Sequence, residues 1–154
     1  MDIAIELLRR QSLFSALTDE TLVFLAQRAG TAEVDADDYF FREKDSATSL
    51  FVLEQGRAEA LKSRDGVTVR LAELVPGDCF GEVAFMGVLP RIASVRAIEP
   101  SVALSLTNHD LLALHAQDVE QFALIMMNIG REVCRRLHAA NERLFRIAAE
   151  TDGV

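Results

Sequence analysis

Residues Pro76–Ala97 read PGDCFGEVAFMGVLPRIASVRA, and this segment carries most of the information in the chain about its architecture. Phe80-Gly81 ends an extended segment, and residues 82–86 can form one or two helical turns. A short loop over residues 87–90 leads to Arg91, and strand character resumes at Ala93. The pattern predicts a strand, a helical turn, a loop and a second strand.

Three features of this segment suit an anionic ligand. The first turn of a helix leaves backbone N–H groups unpaired, and these form an anion site. Gly81 lets the backbone approach an anion closely, and the guanidinium of Arg91 can bind two phosphate oxygens at once. Glu82 suits such a site if its carboxylate accepts hydrogen bonds from a sugar hydroxyl. Taken singly, Glu82 is better explained as an acid at a helix N-terminus and Arg91 as a solvated loop residue. Their combination over fourteen positions favours a binding site.

The chain before and around this segment has two patterns. Residues 1–30 have helical periodicity, with Thr18 as an expected N-cap. Over residues 31–106, short apolar runs alternate with turn residues, and Asp65-Gly66 is a hairpin signal. Many short strands at this spacing predict a sandwich or a barrel.

The chain after residue 106 returns to helical patterning over residues 107–150. Thr107 with Asp110, and Asp118 with Gln121, have the spacing of capping boxes. The second of these begins a helix that runs without a proline to about Ala149.

This last helix has an apolar seam with heptad spacing. The seam residues are Met126, Gly130, Val133, Leu137, Ala140, Leu144 and Ile147. A helix of roughly 30 residues is about 45 Å long, which exceeds what a domain of this size covers. We therefore favour a parallel homodimer through the distal half, with Phe122, Ile125 and Ile129 of the proximal half packed on the barrel. The alternative is that the whole seam packs on the chain's own barrel.

Composition excludes several classes of function. The net charge of −8 argues against direct DNA binding, which requires a basic surface. Two cysteines and three scattered histidines form no metal site by their spacing, so we expect no metal and no bound cofactor. The sequence has no apolar run of membrane-spanning length and no basic leader before its first apolar run, which predicts a cytoplasmic protein without a membrane segment. No nucleophile–base pair or paired acid stands out, so we expect no catalytic residues and no enzyme activity.

Gly81 to Ser94, GEVAFMGVLPRIAS, resembles the phosphate-binding cassette of the cyclic-nucleotide-binding domains. That family includes the regulatory subunits of cyclic-AMP-dependent kinase, nucleotide-gated channels and the bacterial catabolite activator group. Its usual pattern is FGE[LIV]A, a loop, and then PRxA[ST]V. The resemblance covers nearly the whole chain and implies a single domain over residues 1–154, mainly β with flanking α. Helices at both ends would flank an eight-stranded jelly-roll-like barrel, with the cassette at residues 81–94.

The resemblance also implies a role for each site residue. Glu82 would bind the ribose 2′-hydroxyl and Arg91 the cyclic phosphate. Backbone N–H groups would complete the phosphate site, Ser94 would add a hydroxyl and Leu71 would line the base pocket. The cyclic-AMP-binding residues implied are Gly81, Glu82, Val83, Ala84, Arg91, Ile92, Ala93, Ser94, Leu71 and Asn141.

Asn141 and Ile92 bear on which base is bound. In the catabolite activator group, a polar pair on the last helix reaches the base, and Ala140-Asn141 occupies that place here. An amide can both donate to and accept from an adenine edge, although Asn141 is equally suited to flank the dimer seam. Ile92 stands where guanine-preferring members often carry threonine, which favours adenine. Lys44 is a departure, since the family usually has a turn glycine there.

The resulting prediction is a cyclic-AMP sensor in signal transduction. Cyclic AMP would shift the last helix relative to the barrel, and a dimer mate or an unidentified protein partner would detect the shift. Two alternatives stay open. One is a degenerate module that binds no nucleotide and serves protein interaction, and the other is a regulator of transcription acting through another protein. The sequence stops soon after Ile147, which predicts a domain without a helix-turn-helix.

Overall fold

The computed structural model describes residues 2–82, 86 and 89–152 of the chain. Helices lie at both ends and eight strands lie between them in this described part. The helices are α1 (Asp2–Arg9), a 3₁₀ turn (Ser12–Phe14), α2 (Asp19–Arg28), α3 (Asn108–Gln117) and α4 (Val119–Thr151). The strands are β1 (Gly30–Val34), β2 (Tyr39–Phe41), β3 (Ser49–Gln55), β4 (Ala58–Arg64), β5 (Val67–Leu74), β6 (Cys79–Phe80), β7 (Ser94–Ala97) and β8 (Ser101–Thr107).

The helix boundaries follow from capping groups that the sequence predicts. The Thr18 side chain accepts a hydrogen bond from the Thr21 N–H at the start of α2. Thr107 and Asp110 form a reciprocal capping box at the start of α3. The Asp118 carboxylate accepts from the Gln121 N–H at the start of α4. These contacts satisfy N–H groups that a helix terminus otherwise leaves unpaired, which confirms the predicted helix starts.

The strands form two antiparallel four-stranded sheets, with strand orders β1-β8-β3-β6 and β2-β7-β4-β5. Phe51 from the first sheet and Val95 from the second belong to one buried cluster, so the sheets pack face to face. The predicted mainly β, jelly-roll-like fold is therefore confirmed. Among the described residues the two sheets are joined by packing rather than strand pairing, so the expected eight-stranded barrel is open and barrel-like only loosely.

Strand β3 is buried on both of its faces. Phe51 and Leu53 point into the core between the sheets, whereas Leu50 and Val52 point into a second core. This second core is helical and is completed by residues of the helices, among them Leu25, Leu114 and Ile125. The helices thus cover the outer face of one sheet.

The β4–β5 hairpin differs from the expectation for a half-buried strand. Asp65 and Gly66 form its turn with φ of 52° and 79°, as the sequence signal requires. The alternating Val67, Val69 and Leu71 are nevertheless all exposed, and so are the residues between them, so neither face of β5 before Leu74 is buried in the core. Periodicity identified the strand but not which face the core covers.

Helix α4 has two parts with different surroundings. Ile125 and Ile129 are buried and Phe122 is partly buried in the helical core, as expected. The Asn128 amide ties this proximal part to the 3₁₀ turn by donating to the carbonyls of Leu13 and Ser15 at 3.1 and 2.9 Å. Beyond Asn128 and its neighbours, α4 leaves the body of the molecule. The seam residues of this distal part are exposed, including Val133, Leu137, Leu144 and Ile147.

A search of the described helices finds none whose length and apolar character would together allow it to cross a lipid bilayer.

Candidate ligand pocket

A cavity of about 370 Å³ lies between the β4–β5 hairpin and the segment that follows β6. Small side chains on the two paired strands, Ala60 and Ala72, form part of its wall, and α4 reaches it with one residue, Arg136. Half of the ten predicted binding residues line this cavity: Gly81, Glu82, Arg91, Ile92 and Ala93. The fold thus brings together residues that the sequence spaces over more than ten positions.

Gly81 permits the close approach of the charged groups in this pocket. Its φ is +78°, a conformation that side-chain-bearing residues rarely adopt. A Cβ atom at this position would lie 2.7 Å from Nη1 of Arg91 and 3.3 Å from the Phe41 ring. Glycine is therefore required both by the backbone and by the arginine beside it.

Arg91 is a buried cation, with 6% of its surface exposed. Its guanidinium donates to the carbonyls of Gly81 and Ser49 at 3.1 and 2.6 Å, and it lies 3.9 Å from the centre of the Phe41 ring. Its Nε has no hydrogen-bond partner, and no carboxylate of the described residues pairs with it. Burial lowers the pKa of Arg91, an effect that the charge of Asp45 partly offsets. Within the described part of the chain, this positive charge therefore has no counter-anion.

The turn before β3 holds the backbone of Arg91. The Arg91 N–H donates to the Asp45 carbonyl, and the Lys44 N–H donates to the Arg91 carbonyl, both at 2.8 Å. Lys44 has a φ of +78°, so the position where the family usually carries glycine does adopt the left-handed conformation here. Two hydrogen bonds therefore fix the backbone of Arg91, and one of them is donated by Lys44, whose backbone conformation is strained.

Glu82 is the second buried charge, also 6% exposed. Its Oε1 accepts a hydrogen bond from Nη1 of Arg136 in an ion pair, and its Oε2 has no partner among the described residues. Arg136 in turn donates through Nε to Glu132 of its own helix at 3.2 Å. One oxygen of Glu82 is therefore occupied by α4, and the other is left for a further donor.

The sequence analysis did not identify Arg136 as a residue of the site and missed its contact with Glu82. Two signals could have identified it. It precedes the seam residue Leu137, and it lies one helical turn before Ala140, the first residue of the predicted polar pair. Ala60 and Ala72 were missed as well, because small residues in a strand carry no sign of what faces them.

Three described residues of the predicted set, Ser94, Leu71 and Asn141, lie outside the cavity lining. Ser94 accepts a hydrogen bond from the Glu43 N–H at 2.8 Å, outside the cavity lining. Leu71 is exposed in a neighbouring groove, and Asn141 is exposed on α4, about 7.5 Å along the helix from Arg136. Val83 and Ala84 lie outside the described residues.

The remaining polar groups of the cavity do not suggest a metal or a reactive thiol. In the described ranges, no three metal-ligating side chains come together. Cys79 lines the cavity as a free cysteine, and burial raises its pKa to about 12. A thiol with this pKa stays protonated at neutral pH and acts as an apolar wall.

Comparison with known proteins agrees with this architecture. The sequence model of the cyclic nucleotide-binding domain matches residues 31–118, more than half of the chain. A cAMP-dependent protein kinase regulatory subunit from Emericella nidulans is 35% identical over 85 residues, which are 55% of this chain and 20% of that protein. The cyclic AMP receptor protein of Thermus thermophilus is 30% identical over 105 residues, 68% of this chain and 47% of that protein.

Solved structures share the fold. The N-terminal domain of a transcriptional regulator from Streptomyces coelicolor superposes with a TM-score of 0.78 at 27% identity, covering 86% of this chain and 93% of that one. An open jelly roll flanked by helices, with a buried glutamate and a buried arginine in one cavity, is the architecture of a ligand-binding domain. This chain belongs to the cyclic nucleotide-binding domain family. It spans less than half the length of each of the two curated relatives described above.

Proposed function

We propose that the cavity binds cyclic AMP and that α4 signals its occupancy to a partner or to a second copy of the chain. The cyclic phosphate would face Arg91, the ribose 2′-hydroxyl would face Glu82, and the base would lie toward β4 and β5. In this proposal the protein works in the cytoplasm as a sensor without catalytic activity of its own.

The observation that carries the proposal is the buried guanidinium of Arg91, for which the described residues supply no counter-anion. A buried charge is costly unless it is paired, and a cyclic phosphodiester supplies one delocalised negative charge. The two backbone carbonyls that now accept from Arg91 stabilise the cation but do not neutralise it. A phosphate would satisfy the free Nε and the charge together.

The Glu82–Arg136 pair supports a route for the signal. A ribose hydroxyl that donates to Glu82 would compete with Arg136 for the carboxylate or would use its free Oε2. Arg136 lies in the distal part of α4, about two helical turns beyond Asn128, so a change in this ion pair would alter the anchoring of the distal helix. Ligand binding would thereby shift the population of two helix positions.

The heptad pattern supports a homodimer and gives Asn141 a role in it. In a parallel coiled coil with Leu137 and Leu144 at the a positions, Arg136 is a g residue and Asn141 an e residue. A g residue faces the e residue five positions on in the other helix. The Asn141 amide of one subunit would thus approach the Arg136 end of the other subunit's pocket, which would explain why it does not line its own cavity.

A second candidate function is an interaction module that binds no nucleotide. The same geometry favours it, because Arg91 is hydrogen-bonded to protein carbonyls and one oxygen of Glu82 is paired with Arg136. These contacts partly replace the groups that a ligand would supply. Such a module would contact a protein through the exposed distal part of α4. A regulator of transcription that acts through another protein would be one module of this kind.

Calorimetric titration distinguishes the two. The protein is unfolded and refolded to remove any ligand carried through purification, and then titrated with cyclic AMP, cyclic GMP and 5′-AMP. Binding of cyclic AMP in the micromolar range or tighter, with no binding of 5′-AMP, supports the sensor. An absence of heat with all three ligands contradicts the sensor and favours the interaction module.

A further inference from the structure

We infer that Lys62 is a specificity-determining residue of this site, which reads position 6 of the purine and favours an oxygen there. The inference rests on the proposed function, since it concerns the base of the same cyclic nucleotide. It differs from the adenine preference expected from Ile92, because it concerns another edge of the base.

The cavity wall indicates where the base lies. Arg91 and Glu82 mark the phosphate and ribose end of the cavity. The paired residues Ala60 and Ala72 give the β4–β5 side of the cavity small apolar side chains, which leave room for the face of a purine ring. The edge of that ring would then point along the hairpin toward the Asp65-Gly66 turn.

Lys62 lies two residues beyond Ala60 on β4, about 7 Å along the strand. It is paired with Val69 and lines a shallow groove of about 290 Å³ on the hairpin. Its ammonium reaches back from this groove and donates to the carbonyl of Ile92 at 2.9 Å. Because Ile92 lines the cavity, this hydrogen bond holds the ammonium at the cavity rim.

The ammonium has hydrogen-bonding capacity to spare at the rim. A lysine ammonium has three donors and no acceptor. One donor is given to Ile92, and within the described residues no other acceptor takes the remaining two. At the rim, the Lys62 ammonium therefore offers two hydrogen-bond donors and a positive charge to the edge of the base.

The hydrogen-bonding groups on the purine edge decide which base binds more tightly beside Lys62. A 6-oxopurine presents two adjacent acceptors, O6 and N7, whereas adenine presents the acceptor N7 beside the donor amino group at position 6. Two donors on Lys62 match the first pattern and meet the adenine amino group unfavourably. Lys62 thus raises the affinity for cyclic GMP and cyclic IMP relative to cyclic AMP.

The test is titration of the wild-type protein and two variants with cyclic AMP, cyclic GMP and cyclic IMP. Lys62→Met removes the ammonium and keeps the length of the side chain, so we expect the affinity for cyclic GMP and cyclic IMP to fall about fivefold to tenfold while that for cyclic AMP changes less than about twofold. Cyclic IMP lacks the 2-amino group, so a loss shared with cyclic GMP assigns the effect to O6. Arg64→Met is the matched control, because Arg64 lines the same groove without a hydrogen bond to the cavity rim in the described residues, and it should leave the ratios unchanged.

The possible failures are distinguishable. Equal changes for all three nucleotides in Lys62→Met, or no change in any, overturn the role of Lys62 while leaving cyclic nucleotide binding intact. A loss for cyclic GMP without a loss for cyclic IMP also overturns the assignment to position 6. A wild-type protein that binds none of the three, although circular dichroism shows it folded, overturns the proposed function and this inference with it.

Discussion

The guanidinium of Arg136 on α4 is ion-paired with the buried carboxylate of Glu82 in the cavity wall. The partners are 54 residues apart in the sequence, and the contact joins the long C-terminal helix to the pocket. Because one partner is buried and the other half-exposed, the contact can be broken at modest cost by a competing donor. One hydrogen bond therefore connects the groups that would bind a ligand in the pocket to the position of α4.

Removing Arg136 should destabilise the protein without ligand. Arg136→Ala leaves the Glu82 carboxylate buried without a partner, and we expect the free energy of unfolding to fall by about 1–2 kcal/mol, less than for a fully buried pair. Urea denaturation measures the change. Arg135→Ala is the control, since the exposed Arg135 pairs only with Glu132 of its own helix among the described residues and should change stability by less than about 0.5 kcal/mol. Equal losses in both variants would contradict the role of the Glu82 contact.

Removing Arg91 should abolish most nucleotide binding. Arg91→Met keeps much of the side-chain volume but leaves the phosphate without its cation, so we expect the affinity for cyclic AMP to fall about a hundredfold or more. Calorimetric titration measures it, with Arg96→Met on β7 as a control away from the cavity lining. Near-wild-type affinity in Arg91→Met would remove the phosphate assignment.

Charges on the seam of α4 should separate a dimer. Leu137 and Leu144 are both exposed in the single chain, and glutamates in both places would repel across a parallel coiled coil. We expect Leu137→Glu with Leu144→Glu to be monomeric by light scattering at a concentration where the wild type is dimeric. Phe145→Glu changes an equally exposed apolar residue outside the seam and should leave the dimer intact. A dimer that persists in the double variant would place the interface elsewhere.

Glycine at position 44 should stabilise the protein. Lys44 has a φ of +78°, which costs a residue with a Cβ atom about 1 kcal/mol or more. Because glycine loses more backbone entropy on folding, the net gain of Lys44→Gly should be about 0.5–1 kcal/mol. Thermal unfolding measures it, and Lys44→Ala, which removes the charge but keeps the Cβ atom, should show no gain. Equal gains would mean that the charge and not the backbone matters.

Cys79 should be unreactive in the folded protein. Burial raises its pKa to about 12, whereas Cys134 is exposed on α4. Iodoacetamide at pH 8 should therefore modify one cysteine in the native protein and two in denaturant, counted by mass spectrometry. Modification of Cys79 at the rate of Cys134 would contradict its burial.

The same thiol makes stability depend on alkaline pH. The unfolded thiol, with a reference pKa of 9.0, loses its proton before the folded one, so the unfolded state binds fewer protons between about pH 9 and pH 12. The contribution of Cys79 to stability is present below pH 9 and is lost as the pH rises through this window. Cys79→Ala should flatten this part of a stability–pH curve measured by urea denaturation, and an unchanged curve would contradict the assignment.

Local features were predictable from the sequence because short-range chemistry determines them. Thr18, Thr107 and Asp118 cap helices through their own backbone neighbours, and Asp65-Gly66 adopts the positive φ values that its turn demands. The resemblance of residues 81–94 to a known cassette predicted that Glu82 and Arg91 lie in one site. These predictions needed no knowledge of how distant segments pack.

The sequence by itself determined the order of helices and strands, the family, and two charged residues of the pocket, Glu82 and Arg91. Tertiary structure alone decided that Arg136 meets Glu82, that Lys62 reaches the carbonyl of Ile92, and that Val67, Val69 and Leu71 face outward. It also decided that Leu71 and Asn141 lie outside the cavity. The physical reason is that periodicity reports which side chains share a face, whereas the partner of that face depends on the packing of elements far apart in the chain.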